Sequence, residues 1–95
     1  MVNTVHKMSN KEIEKIHKAL ANHRRIATLR YLNNRRYGDL QGTARYLKLS
    51  YKATAKHFGQ LCAAGILDKD MRHGIVYFSI AKDIPQLARH TLTAL

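Results

Sequence analysis

The chain is short of cysteine, of acidic side chains and of long apolar runs, and each shortage removes a class of protein. Its single cysteine, Cys62, excludes an intramolecular disulfide framework and a zinc site built from several thiolates, and it agrees with a reducing compartment. No segment approaches the roughly 20 consecutive apolar residues of a membrane span, and the opening residues lack the apolar stretch of about 7–15 residues that marks a signal peptide. The expectation is a cytoplasmic chain with no membrane partner. One proline leaves no Pro-rich linker, and no internal repeat or low-complexity stretch interrupts the 95 residues. They are read as one domain, residues 10–95, after a short N-terminal segment, residues 1–9. Catalysis lacks a footing as well: the acids are scattered, no Gly-rich phosphate loop occurs, and no serine has a histidine and a carboxylate in a recognisable setting.

What the chain does have is positive charge. Seventeen basic side chains face six acidic ones, a net charge of +11 with histidine neutral. Such an excess attracts a polyanion over about a Debye length (~8 Å at physiological salt), and nucleic acid is the polyanion to expect. A merely solubilising surface usually balances its signs. Charge alone does not separate DNA from RNA.

Local signals divide the chain into mainly helical elements. Ser9-Asn10-Lys11-Glu12 fits a capping box, and Ile13, Ile16 and Leu20 follow at helical spacing, predicting a first helix from about Asn10 to Ala21. Asn22 caps a second helix with apolar positions Ile26, Leu29 and Leu32, ended by Asn33-Asn34 and then Tyr37-Gly38. Asp39 caps a short third helix that buries Leu40, Ala44 and Leu47, and Lys48-Leu49-Ser50 makes a tight connection. Ser50 caps a fourth helix running to about Ala64, with Thr54, Phe58 and Leu61 as its inward stripe and Gly65 at a left-handed C-terminal position. The period then changes. Ile66-Leu67 and the run from Ile75 to Ile80 flank the turn signal Met71-Arg72-His73-Gly74, predicting a β-hairpin with a basic tip. Asp83 and Pro85 match the cap and first turn of a last helix, with Ile84, Leu87, Ala88, Thr91 and Leu95 along one stripe.

Four helices, a hairpin and a final helix make a mainly α chain with a small β-hairpin, the element order of a winged helix-turn-helix. From Ile16 to Ile80, about two thirds of the chain, the sequence resembles the ArsR-type family of transcriptional repressors. The matching pieces are KALANHRRIATLRYL, TARYLKLSYKATAKHFGQLCAAGIL and RHGIVYFSI, and the middle one is the most specific, with Leu47, Leu49, Ser50, His57, Leu61, Ala64, Gly65 and Ile66 at the family's spacing. Two departures stand out. The family's acid-Pro-Thr-Arg turn is Asn22-His23-Arg24-Arg25 here, and its Cys-x-Cys metal motif falls at Asp39 and Gln41, which supply no thiolate for a soft metal.

The fourth helix is the recognition candidate, because a helix fits the major groove and its N-terminal residues meet base edges. Ser50, Tyr51, Lys52, Ala53, Ala55, Lys56, His57 and Gln60 form the candidate DNA-binding set on it, joined by Arg72 and His73 at the hairpin tip. Lys52 or Lys56 can donate to guanine, and the small alanines leave room for thymine methyls. Ser50 serves as cap or base reader; His57 reaches a phosphate or ties helices together; Gln60 is a contact or a solvated residue near the helix end. Arg72 and His73 enter a minor groove, track backbone, or form a solvated turn. His17 and His23, and Asp83 and His90, lack the i, i+4 spacing that places two ligands on one metal, so neither metal nor cofactor is expected. Cys62 sits on an inner flank, where a buried, inert thiol is the usual reading.

The first and last helices carry apolar residues beyond what so small a core needs, namely Ile13, Ile16, Leu20, Ile84, Leu87, Ala88, Thr91 and Leu95. The resemblance implies that such helices pair across a two-fold axis. A homodimer would set two recognition helices about 34 Å apart, over successive major grooves of an inverted repeat. The expected function is a sequence-specific regulator of double-stranded DNA acting as a repressor. Nine of the seventeen basic residues, from Lys7 to Arg36, precede Tyr37, which keeps a non-specific chromosome-architectural role open. A winged-helix module that docks RNA or an acidic protein is the alternative of another class.

Overall fold

A computed structural model describes residues 7–95; residues 1–6, most of the expected N-terminal segment, lie outside the described residues. The elements run α1 (Asn10–Leu20), α2 (His23–Arg35), β1 (Tyr37–Gly38), α3 (Leu40–Leu47), α4 (Tyr51–Ala63), β2 (Leu67–Arg72), β3 (Ile75–Ile80) and α5 (Gln86–Thr93).

Short-range chemistry starts the first four helices. Ser9 and Glu12 close the capping box reciprocally, at 3.1 Å and 2.8 Å. The Asn22 side chain accepts from the amides of Arg24 and Arg25, Asp39 from Gly42, and Ser50 from Ala53. Each cap satisfies amides that have no partner within the helix. The joint between α3 and α4 is set by Lys48 in the left-handed conformation, φ 58°, with the Leu49 amide donating to the Ala44 carbonyl at 2.9 Å. The same closure ends α4, where Gly65 has φ 74° and the Ile66 amide reaches the Leu61 carbonyl at 2.9 Å. The first closure turns the chain sharply enough for α3 to lie on α4, and the second turns it from α4 into β2.

The sheet differs from the expected hairpin in having a third strand, in the order β1-β3-β2, all antiparallel. Tyr37 and Gly38, expected only to end α2, pair with Ser79 and Phe78. The hairpin turn is also tighter than expected. Met71 and Arg72 belong to β2, and the turn is His73-Gly74, with φ of 52° and 78°, the two positive values that a type I′ turn requires. A last difference concerns α5. Asp83 does not cap it; Pro85 occupies the cap position with extended backbone and no side-chain bond. A residue before proline is pushed toward extended geometry, so Ile84 cannot join a helical turn begun at Asp83.

The core gathers Ile16 and Ala19 of α1, Leu29 and Leu32 of α2, Phe58 and Leu61 of α4, Ile66, Leu67, Phe78 and Ala88. Phe58 meets Phe78 edge to face at 4.4 Å between ring centroids, joining α4 to the sheet. Leu40, which the helical period buries fully, is only half-buried against this core, and Leu47 is likewise half-buried. Thr28, Thr43 and Thr54 are buried, and each hydroxyl donates to the carbonyl four residues back, so no polar atom is stranded there.

Candidate nucleic-acid interface

α4 divides cleanly. Thr54, Phe58 and Leu61 are buried, and the opposite stripe of Lys52, Lys56 and Gly59 is exposed at helical spacing. Tyr51, 61% exposed, stands beside the lysines on the first turn. Ala53 and Ala55 flank the stripe half-buried. The Ser50 hydroxyl accepts from the Ala53 amide at 3.0 Å, which makes it a cap. The N-terminal half of α4 is therefore a smooth, positively charged ridge fit for a groove lined with acceptors.

His57 and Gln60 lie off that ridge, on the flank toward α1 and α2. Both meet Arg25. Its Nη1 lies 3.4 Å from His57 Nδ1 and donates to Gln60 Oε1, while Nε donates to the Ala19 carbonyl at 2.6 Å and Nη2 to the Lys18 carbonyl at 2.9 Å. One guanidinium thus ties the C-terminal end of α1 to the middle of α4. Burial, and then the charges of Arg25, Arg24 and Lys56, push the His57 pKa below 6.5, so the ring favours its neutral form and accepts from Arg25. This geometry gives His57 and Gln60 a role in tying helices. The sequence carried no local sign of it, because Arg25 lies 32 and 35 residues from its partners.

On the wing, Arg72 Nε donates to Asp70 Oδ2 at 2.9 Å, and its guanidinium leans over the Tyr37 ring at 6.0 Å. Part of the expected basic tip therefore has an acidic neighbour within the wing, in a pair whose side chains are both 64% exposed, and the turn itself is His73 with Gly74. Strand alternation puts Asp68, Asp70 and Arg72 on the outer face and Leu67, Lys69 and Met71 on the face toward α4. Lys69 is exposed, Met71 is 67% exposed, and the Lys69 charge acts on Cys62 of α4. Burial outweighs that charge and raises the Cys62 pKa, which keeps the half-buried sulfur a thiol. Lys69 and Met71, absent from the expected set, are the exposed side chains of that face.

The expected pairing surface also needs correction. Ile16 is 3% exposed and Ala88 0% exposed: α5 packs along α1 of the same chain, and that contact takes them up. Leu20, Ile84, Thr91 and Leu95 are half-buried. Ile13 and Leu87, at 36% and 38%, remain open and line a groove of about 430 Å³ with Met8, Gln86 and His90. Among the described residues no group of three or more His, Cys, Asp or Glu side chains could hold a metal, and no helix is long and apolar enough to cross a membrane.

No protein-family model matches the sequence, and no curated protein does. Solved structures do. The homodimeric winged helix-turn-helix DNA-binding domain Mb0332 of Mycobacterium bovis, described as a possible ArsR-family transcriptional regulator, is 19% identical, with a TM-score of 0.76 over 95% of this chain and 86% of that one. The transcriptional repressor PagR of Bacillus anthracis is 15% identical, with a TM-score of 0.74 over 90% of this chain and 94% of that one. HlyU of Vibrio cholerae is 19% identical, with a TM-score of 0.73 over 92% of each. The chain has the winged helix-turn-helix fold, as its element order predicts.

Proposed function

We propose that this protein is a sequence-specific, double-stranded DNA-binding transcriptional regulator, a dimeric repressor without catalytic activity that works in the cytoplasm. The observation that carries the reading is the exposed ridge of Tyr51, Lys52 and Lys56 at the start of α4, beside a protruding hairpin. The fold neighbours support it: one is described as a homodimeric DNA-binding domain and another as a transcriptional repressor.

In this reading the first two turns of α4 enter the major groove. Lys52 and Lys56 donate to guanine acceptors or phosphates, Ala53 and Ala55 permit thymine methyls, and His73 with Lys69 meets the backbone from the wing. Ile13 and Leu87 meet their counterparts in a second copy, and the two-fold axis sets the half-site spacing. Electrophoretic titration with duplex DNA, duplex RNA and single strands at several salt concentrations tests the claim. Duplex DNA is expected to bind tightest, and Lys52→Ala with Lys56→Ala to lower the slope of log affinity against log salt by about 0.9 for each phosphate no longer neutralised. Equal affinity for all three polymers, unchanged by those substitutions, overturns it. Competition by random duplex at moderate salt would favour the architectural role that the spread of charge allows. Sedimentation of a monomer at micromolar concentration, without DNA, would sink the inverted-repeat geometry.

A further inference from the structure

Three cations surround a cleft outside the reading ridge. It lies between α1 and α4, has a volume of about 250 Å³, and is lined by Lys15, Lys18, Ala19, Arg25, Gln60 and Ala63. No acid lines it. Lys11, Lys15 and Lys18 follow one another at helical spacing on α1, all exposed. Lys18 approaches Glu14 at 3.9 Å, but the two side chains are 75% and 65% exposed, and so open a pair holds its ammonium loosely. Arg25 is fixed by the Ala19 and Lys18 carbonyls and by Gln60, so the cleft has a rigid wall with a set charge.

The path from the ridge to this cleft is open. Past Lys56, the exposed stripe of α4 continues through Gly59 and Ala63, neither carrying more than a methyl group. Glycine weakens a helix relative to alanine, and here the fold gains nothing from it: Gly59 is helical without a positive φ, and a Cβ added there would meet nothing within 4 Å.

We infer that the cleft between α1 and α4 seats a backbone phosphate of the duplex that α4 reads, which runs on across Gly59 and Ala63 to Lys15 and Lys18. The inference rests on the DNA-binding reading above and extends its footprint onto α1. Continuity with the Lys52 and Lys56 stripe favours the polymer over a free phosphorylated ligand.

The test compares wild type with the double variant Lys15→Ala, Lys18→Ala and with a charge-matched control, Arg35→Ala, Arg89→Ala, whose residues lie over the Tyr31 and Tyr46 rings and on α5. Duplex affinity is measured across a salt series, with melting temperatures to confirm folding. The first double is expected to lower the salt slope by about 0.9, the share of one phosphate, and the control to leave it unchanged. An unchanged slope in the first double, or an equal fall in both, overturns the inference. In a second arm, pyrophosphate is titrated calorimetrically into the free protein. Saturable binding that depends on Lys15 and Lys18, with a duplex slope that ignores them, assigns the cleft to a free phosphorylated ligand and likewise overturns it. A duplex slope that responds to Lys52→Ala but not to the α1 pair sinks this inference alone, whereas no duplex binding by wild type sinks the functional reading as well.

Discussion

Replacing Arg25 by methionine keeps a long apolar stem and removes the clasp between α1 and α4. The bonds removed are those to the Ala19 carbonyl at 2.6 Å and the Lys18 carbonyl at 2.9 Å, together with the interactions with Gln60 and His57. A bond from a charged donor contributes about 1.5–3 kcal/mol when buried, but Arg25 is half-buried, and screening by water reduces each carbonyl bond to about 1 kcal/mol. The Lys18 carbonyl also accepts from the Ala21 amide at 3.3 Å, so its loss is the milder one. The sum is about 2 kcal/mol, which in a domain of this size lowers the melting temperature by about 8–16 °C. Circular dichroism melts of wild type and variant measure it directly. The pH dependence supplies an independent check. The folded His57 pKa lies below 6.5, so folding favours the neutral ring: its contribution is complete above 6.5 and is lost as pH falls below that value. Burial, the larger cause, remains in the variant, whereas the Arg25 charge does not. The gap in melting temperature between wild type and variant is therefore expected to narrow as pH drops from about 7.5 to about 5.5. An unchanged melting temperature, or a gap constant with pH, refutes the clasp.

Three further substitutions probe other parts of the frame. In Gly42→Ala the new Cβ would stand 2.7 Å from Asp39 Oδ1, so the cap of α3 must move; a loss of about 1 kcal/mol in denaturant titrations is expected, largely abolished when Asp39 is already alanine. His73→Asn puts the favoured Asn-Gly pair into the hairpin turn, where φ is 52°, and is expected to raise stability by about 0.5–1 kcal/mol while weakening duplex binding; a drop in melting temperature counts against the turn assignment. Phe58→Ala removes a ring 1% exposed and packed on Phe78, a loss of about 3–5 kcal/mol, and the midpoint of chemical denaturation must fall accordingly.

What the sequence made legible is local. Ser9 with Glu12, Asn22, Asp39 and Ser50 act on amides two or three residues away, so the starts of α1 to α4 can be read without knowing the fold. The missed features act at a distance. Tyr37 and Gly38 form a strand only because Ser79 and Phe78 lie beside them, and two residues show no period of their own. Arg72 reads as a free wing cation until the strand register aligns Asp70 on the same face and Tyr37 beneath it.

The same distinction separates residues within each amphipathic helix. A helical period states which side chains share a face; it does not state what covers that face. On α1 it grouped Ile13 with Ile16, and only the packing of α5 shows that Ile16 is sealed inside its own chain while Ile13 stays open to another. On α4 the candidate set held His57 and Gln60 beside the lysines, and only Arg25 shows that those two side chains already have partners. Among the described residues, none gives Lys52 or Lys56 a side-chain hydrogen bond or ion pair. In the proposed function, two cations with no internal partner on the first turns of a capped helix stay available to a duplex, and that availability, together with their place on the exposed stripe, is why Lys52 and Lys56 are the substitutions to test first.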